Sequence, residues 1–327
     1  MMRAVTVAAA ICGFSGAVHA ADITLRLASV ANAETTYGQA QEVLKEEFER
    51  ATEGRVEIQI FNNNALGSNR EALELAKQGN VDFVVTGLGH ASAFAPQLNA
   101  VLFPYVWKDR ETMFEVLDGE VGQKLSDALQ PSRLSIVAWW DNGFRHVSNN
   151  VRPIVEPEDL QGLKLRTLPS SVHVEFFRAA GASPTPMSFN ELMPALQQGV
   201  LDGQENPPTV VYPYRLFEVQ EYYSLTSHVN EPMVLIMSDA ARAKLSDEDM
   251  EALEAAVEKA TSFQREINAE AVGEMMDKLH AEMQINEVPA ETIAALQEIA
   301  QDVYPEATAD LGEGGGEILE AIQQANQ

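Results

Sequence analysis

The feature that most restricts this chain is an alternation near its start. Ile23-Thr24-Leu25-Arg26-Leu27 alternates as a strand, and residues 36–52 carry Val43, Leu44 and Phe48 at helical spacing. Val56-Glu57-Ile58-Gln59-Ile60 reads as a second strand. Ser68 with Glu71 three residues on forms a capping box for a helix ending near Gln78. Gly79-Asn80 closes it, and the largely apolar Val81 to Thr86 reads as a third strand, covered on both faces. A β-α-β-α-β run demands parallel strands with crossover helices, hence an α/β lobe.

One such lobe does not use up 327 residues. Two short helices, about 109–118 and 120–129, precede a long apolar strand, Leu134 to Trp140. Asp141-Asn142-Gly143 breaks it and Phe144 to Ser148 continues extended, so the chain can pass there into a second lobe. Tyr222 to Thr226 and Met233 to Met237 read as a second crossing pair. Ser246 to about Met283 reads as one long helix, followed by a short strand near 285–288, a helix at 290–303, and a break at 312–316 before the last helix.

Between the crossings lies the most informative stretch, 159–207. Leu163 to Thr167 is a strand with Leu163 and Leu165 on one face and Lys164 and Arg166 on the other. Ser170 or Ser171 opens a helix; Gly181, Pro184 and Pro186 mark a turn; Ser188 or Asn190 opens a second helix, closed by Gly199. The polar tetrad Gln204-Glu205-Asn206-Pro207 follows. An Arg at a strand end, facing helix N-termini and an Asn, suits capture of a carboxylate, because guanidinium presents a planar fork of donors. Spacing alone favours reading Arg166 as an ordinary surface partner, since most Arg side chains sit at surfaces.

Composition narrows the function. Residues 1–20 join a basic Arg3, an apolar centre and the small-residue end Val18-His19-Ala20, the pattern of a secretory signal cleaved before Ala21. The only cysteine, Cys12, lies within it, so the exported chain is expected to hold no disulfide and to rely on its core. Net charge is −27, and −28 without Arg3, which excludes nucleic acid and anionic membrane as expected partners. An anionic ligand must then be captured by locally placed Arg. No nucleophile elbow, zinc-protease helix, P-loop or dinucleotide fingerprint occurs, and the histidines have no metal-pair spacing. No catalysis, cofactor or metal is expected.

GLKLR, GASPTPMSFNEL, ALQQG and DGQENP, in this order and spacing, resemble the solute-binding proteins of tripartite ATP-independent periplasmic (TRAP) transporters, over nearly all of the exported chain. The resemblance implies a two-lobe α/β periplasmic binding protein fold with crossing strands, a long back helix and a central ligand cleft. The lobes are expected at 21–143 plus 232–271 and at 144–231 plus 272–327. It implies a two-pronged salt bridge from Arg166 to the ligand carboxylate and a hydrogen bond to it from Asn206, whose other role would be to cap the turn before Pro207. Phe189 would pack on the ligand or orient the Arg, or else serve the core alone. Arg145 would be a second ligand Arg or the partner of a surface carboxylate. Asn69 and Glu71 would meet ligand hydroxyls, Glu71 alternatively serving its capping box alone. Tyr37, His90, Trp140, Asn142 and Glu231 are further wall candidates.

Gly87 or a neighbour stands where sialic-acid binders place a Glu after the third strand, which points away from sialic acid. Val85 stands where some uronate binders carry an Arg, which counts against a uronate without removing it. The expected function is capture of a hydroxylated sugar acid, aldonate or uronate, in the periplasm. A monomer is expected to deliver it to the small and large membrane permease subunits. A C4-dicarboxylate ligand is the alternative within the class, and a secreted hydrolase or a sensor subunit are alternatives outside it.

Overall fold

The computed structural model describes residues 21–326; the expected signal segment and Cys12 lie outside them. Eleven strands are found among the described residues: β1 (Ile23–Ser29), β2 (Val56–Phe61), β3 (Phe83–Gly87), β4 (Leu134–Trp140), β5 (Phe144–Asn149), β6 (Lys164–Thr167), β7 (Ser183–Pro186), β8 (Gly203–Asn206), β9 (Tyr222–Asn230), β10 (Met233–Ser238) and β11 (Gln284–Glu287).

They form two sheets, in the orders β2-β1-β3-β10-β4 and β11-β9-β5-β8-β6-β7. In the first, β2 and β3 both run parallel to β1, as the opening alternation requires, with the helices Thr36–Ala51 and Asn69–Lys77 between them. The Ser68–Glu71 capping box is present in both halves. Antiparallel β10 joins β3 to β4. The fold is thus a two-lobe α/β architecture with one sheet in each lobe.

The chain crosses between sheets three times, twice directly from strand to strand and once through a long helix. From β4 to β5 it passes through Asp141-Asn142-Gly143, where Gly143 takes φ +97°, a conformation that favours glycine. From β9 to β10 it passes through Glu231-Pro232.

The helix Asp247–Leu279 runs 33 residues, about 50 Å at 1.5 Å per residue, and spans both lobes. Leu253, Ala256, Val257 and Ala260 pack into the first lobe's core with Leu44, Phe48 and Trp140. Leu279 and Met276 pack with Leu192, Leu196 and Tyr223 in the second. Midway, Gln264 holds the β4–β5 crossing: its Oε1 accepts from Asp141 N–H and its Nε2 donates to Asp141 O, both at 2.7 Å. Both halves of that amide are satisfied where a strand partner would otherwise be needed.

Three expectations change. Ser183–Pro186, read as a turn, pairs parallel to β6 as an edge strand, the position where Pro costs no ladder bond. The helix expected at 290–303 continues to Ala309 through Pro305. It is anchored beside that Pro by Tyr304, whose hydroxyl donates to Pro104 O (2.7 Å) and whose ring meets Phe103 edge-on at 4.7 Å. The end of the chain does not stay with the second sheet. Ala307, Leu311, Ile318, Leu319 and Ile322 are buried with Leu98, Val101 and Phe103 in the first lobe's other core cluster.

Candidate functional site

The lobes meet over a small cavity lined from both of them. It lies beyond the C-terminal ends of the parallel strands β6 and β8, where β5 begins, the usual place for a ligand in open α/β sheets. Nine of the eleven expected residues line it: Tyr37, Asn69, His90, Asn142, Arg145, Arg166, Phe189, Asn206 and Glu231. Two do not. Trp140 is buried in the first lobe's core, its Nε1 donating to Thr261 Oγ1 (3.1 Å). Glu71 remains outside, its carboxylate accepting from the Ser68 N–H and hydroxyl (2.8 Å each), bonds that hold its pKa below the usual value. The capping box occupies Oε2 and holds the carboxylate at the start of its helix, outside the cavity lining.

Arg166 is 1 % exposed and forms no salt bridge among the described residues. Its Nε and Nη2 both donate to Met187 O, at 3.0 and 2.8 Å. A guanidinium has five N–H groups and two forked edges. Met187 takes the side edge, and the end edge, Nη1 with the second Nη2 hydrogen, has no protein acceptor. Burial, with Arg145 nearby, pushes the Arg166 pKa down to about 10, and Glu205 and Glu231 offset only part of this. It is a desolvated cation with no carboxylate in direct contact among the described residues.

Arg145, also 1 % exposed, is the opposite case. Its Nε and Nη2 grip the two oxygens of Glu205, Nη2 also donates to Glu205 O, and Nη1 donates to Glu231 Oε2 at 2.7 Å. Burial opposes its charge, but the two carboxylates outweigh burial and hold the guanidinium above its ordinary pKa. Glu205 is likewise penalised by burial yet ends far below the carboxylate range, through Arg145 and His228. Neutral His228 donates Nε2–H to Glu205 (3.3 Å) and its Nδ1 accepts from Thr226 (2.9 Å); burial lowers its pKa, so this contact is a hydrogen bond rather than an ion pair. Arg145 therefore partners carboxylates as expected, but buried ones. Glu231 is pushed up by burial, against the pull of Arg145 and of the Gly89 N–H (3.0 Å).

The tetrad divides its labour by alternation along β8. Glu205 shares a face with Val147 on β5, and so with Arg145. Gln204 and Asn206 take the other face. Asn206 Nδ2 donates to Gln204 Oε1, Gln204 Nε2 donates to Ser148 Oγ (2.7 Å), and Ser148 donates to Gln220 Oε1 (3.0 Å). This relay fixes the Asn206 amide and leaves one of its N–H groups for the cavity.

Tyr214 was not foreseen from sequence. Its hydroxyl donates to Val30 O (2.9 Å) and accepts from Asn32 N–H (3.1 Å), tying the lobes together over the cavity, and its ring meets Phe189 edge-on at 4.7 Å. Only the contact between segments 182 residues apart gives it a role. Val30, Leu168, Val210 and Met233 complete an apolar lining that composition could not single out. His90, pushed down to about 3 by burial and then by the two Arg, is neutral.

Residues 27–310 match the bacterial extracellular solute-binding protein family 7. The chain belongs to that family. It is a solute-binding protein of the TRAP type. A TRAP periplasmic solute binding protein from a Polaromonas species, solved with D-erythronate, is 36% identical, with a TM-score of 0.86 over 92% of this chain and 98% of that one. One from Roseobacter denitrificans, solved with L-galactonate, is 32% identical, with a TM-score of 0.86 over 92% and 99%. The C4-dicarboxylate-binding periplasmic protein of Rhodobacter capsulatus is 30% identical over 93% of this chain and 91% of its own length. TRAP solute-binding proteins carry solutes and are not enzymes, and the named relatives are periplasmic. No helix among the described residues is long and apolar enough to cross a membrane.

Proposed function

We propose that this TRAP protein captures a hydroxylated sugar acid in the periplasm and delivers it to the small and large subunits of a membrane permease. The Arg166 fork takes the carboxylate in a two-pronged salt bridge, with the remaining Asn206 N–H on one of its oxygens. The observation that carries this is a fully buried guanidinium in the cavity wall whose end edge meets no carboxylate among the described residues. Asn69, Asn142, Tyr37 and Glu231 receive the hydroxyls, and Asn142 Oδ1 is a buried acceptor with no protein donor. Phe189 and the apolar lining cover the carbon chain. Closure by a hinge at the crossings excludes water, which strengthens the ion pair. The relatives solved with D-erythronate and L-galactonate favour an aldonate. No turnover belongs to this reading.

The test is a thermal-shift panel of aldonates, uronates and C4-dicarboxylates, followed by calorimetry on the hits. Stabilisation by aldonates with micromolar or tighter binding is the expected result. Stabilisation by uncharged sugars alone refutes the reading.

A further inference from the structure

We propose that Glu231 restricts the cavity to acids with a single carboxylate, accepting a hydroxyl at the far end of the ligand and repelling a second carboxylate there. This deepens the sugar-acid reading and rests on Arg166 holding the first carboxylate.

Two cationic side chains line the cavity, Arg145 and Arg166. Four of the five Arg145 N–H groups are engaged by Glu205 and Glu231, so Arg145 cannot fork a second anion. A ligand with two carboxylates would find one counter-ion only. Glu231 also sits in the wall itself. It is 1 % exposed and lines the cavity, and its Oε1 lies 2.7 Å from where a Cβ on Gly87 would stand. The absent side chain at Gly87 is what lets this carboxylate reach the wall. Its protein partners are the Gly89 N–H and Arg145 Nη1, which leaves it able to accept from ligand hydroxyls.

The buried charges balance at two cations, Arg145 and Arg166, and two anions, Glu205 and Glu231. A monoanion leaves one net negative charge shared around two guanidiniums; a dianion leaves two, one of them against Glu231. At an effective dielectric constant near 20, a charge about 6 Å from Glu231 is disfavoured by roughly a hundredfold in affinity.

Calorimetry on the purified chain with three six-carbon probes tests this: L-galactonate, galactarate, and the monoamide of galactarate, differing only at the last carbon. L-galactonate and the monoamide are expected to bind, with galactarate weaker by ten- to a hundredfold. Glu231→Gln is expected to bring galactarate within about threefold of L-galactonate. Equal binding of galactarate and L-galactonate by the wild type overturns the proposal, as does a monoamide as weak as galactarate, or an unchanged gap in the folded variant. If Glu231→Gln does not fold, the monoamide comparison decides, because it needs no variant. Failure of all three, and of every other acid in the panel, refutes the sugar-acid reading itself. Tight but indiscriminate binding leaves that reading standing and removes only the role of Glu231.

Discussion

Replacing Arg166 by Met separates its work on the ligand from its work on the fold. Without ligand, two effects oppose each other. Met187 O loses both its donors, at a cost of about 1–3 kcal/mol. Against this, a buried cation with no carboxylate in contact disappears. Its fall from an ordinary 12.5 to about 10 marks roughly 3 kcal/mol of unfavourable burial. The two nearly cancel, so the ligand-free variant should match the wild type to within about 2 kcal/mol. With ligand there is no such cancellation. Two charge-assisted hydrogen bonds at about 1.5–3 kcal/mol each amount to about 3–6 kcal/mol, or two to four orders of magnitude in affinity. Urea unfolding of the free protein and calorimetric titration with L-galactonate measure the two quantities independently. A folded variant that keeps its affinity within tenfold, or a free variant that loses well over 3 kcal/mol, would show that Arg166 serves the fold instead.

Arg145→Met should behave in the reverse way. It strands two buried carboxylates, so it should destabilise the free protein by about 3–5 kcal/mol, read as a lowered urea midpoint before any ligand is added. Tyr214→Phe removes the hydroxyl that joins Val30 and Asn32 across the cleft. Ligand release should quicken about tenfold in stopped-flow, with little change in urea stability of the free form. Stability should also fall as pH drops below 6.5. His90, His146 and His173 are buried and held at about 3, and burial lowers His228 as well, so the unfolded chain binds protons that the native state refuses. Their contribution is full above pH 6.5 and is lost at up to about 1.4 kcal/mol per pH unit for each histidine. Glu231, whose pKa burial raises, works in the opposite direction and offsets up to one of the four. A linkage slope between two and four protons is therefore expected below pH 6, from urea midpoints at stepped pH, and a flat profile down to pH 4.5 would contradict it.

Local rules carried much of the fold. β4 runs from Leu134 to Trp140 as its apolar run and the Asp141-Asn142-Gly143 break indicate, because burial on both faces and a positive φ are written in neighbouring residues. The Ser68–Glu71 box and the parallel β1-β2-β3 core are local in the same sense. Ser183–Pro186 escaped because its prolines suggest a turn, and only β6 alongside makes it an edge strand. Trp140 escaped because adjacent strand residues point to opposite faces, and a strand near a cleft does not announce which face meets it.

By itself the sequence determined the class of protein, the α/β lobes, the double crossing and the candidacy of Arg166 and Asn206, since each depends on motifs and periods read over a few dozen residues. The tertiary structure alone decided which guanidinium is spent and which is open. Arg145 meets Glu205 60 residues away and Glu231 86 residues away, whereas Arg166 meets a backbone carbonyl. Charge neutralisation in a dry cavity depends on distances through space, and such distances have no period along a chain.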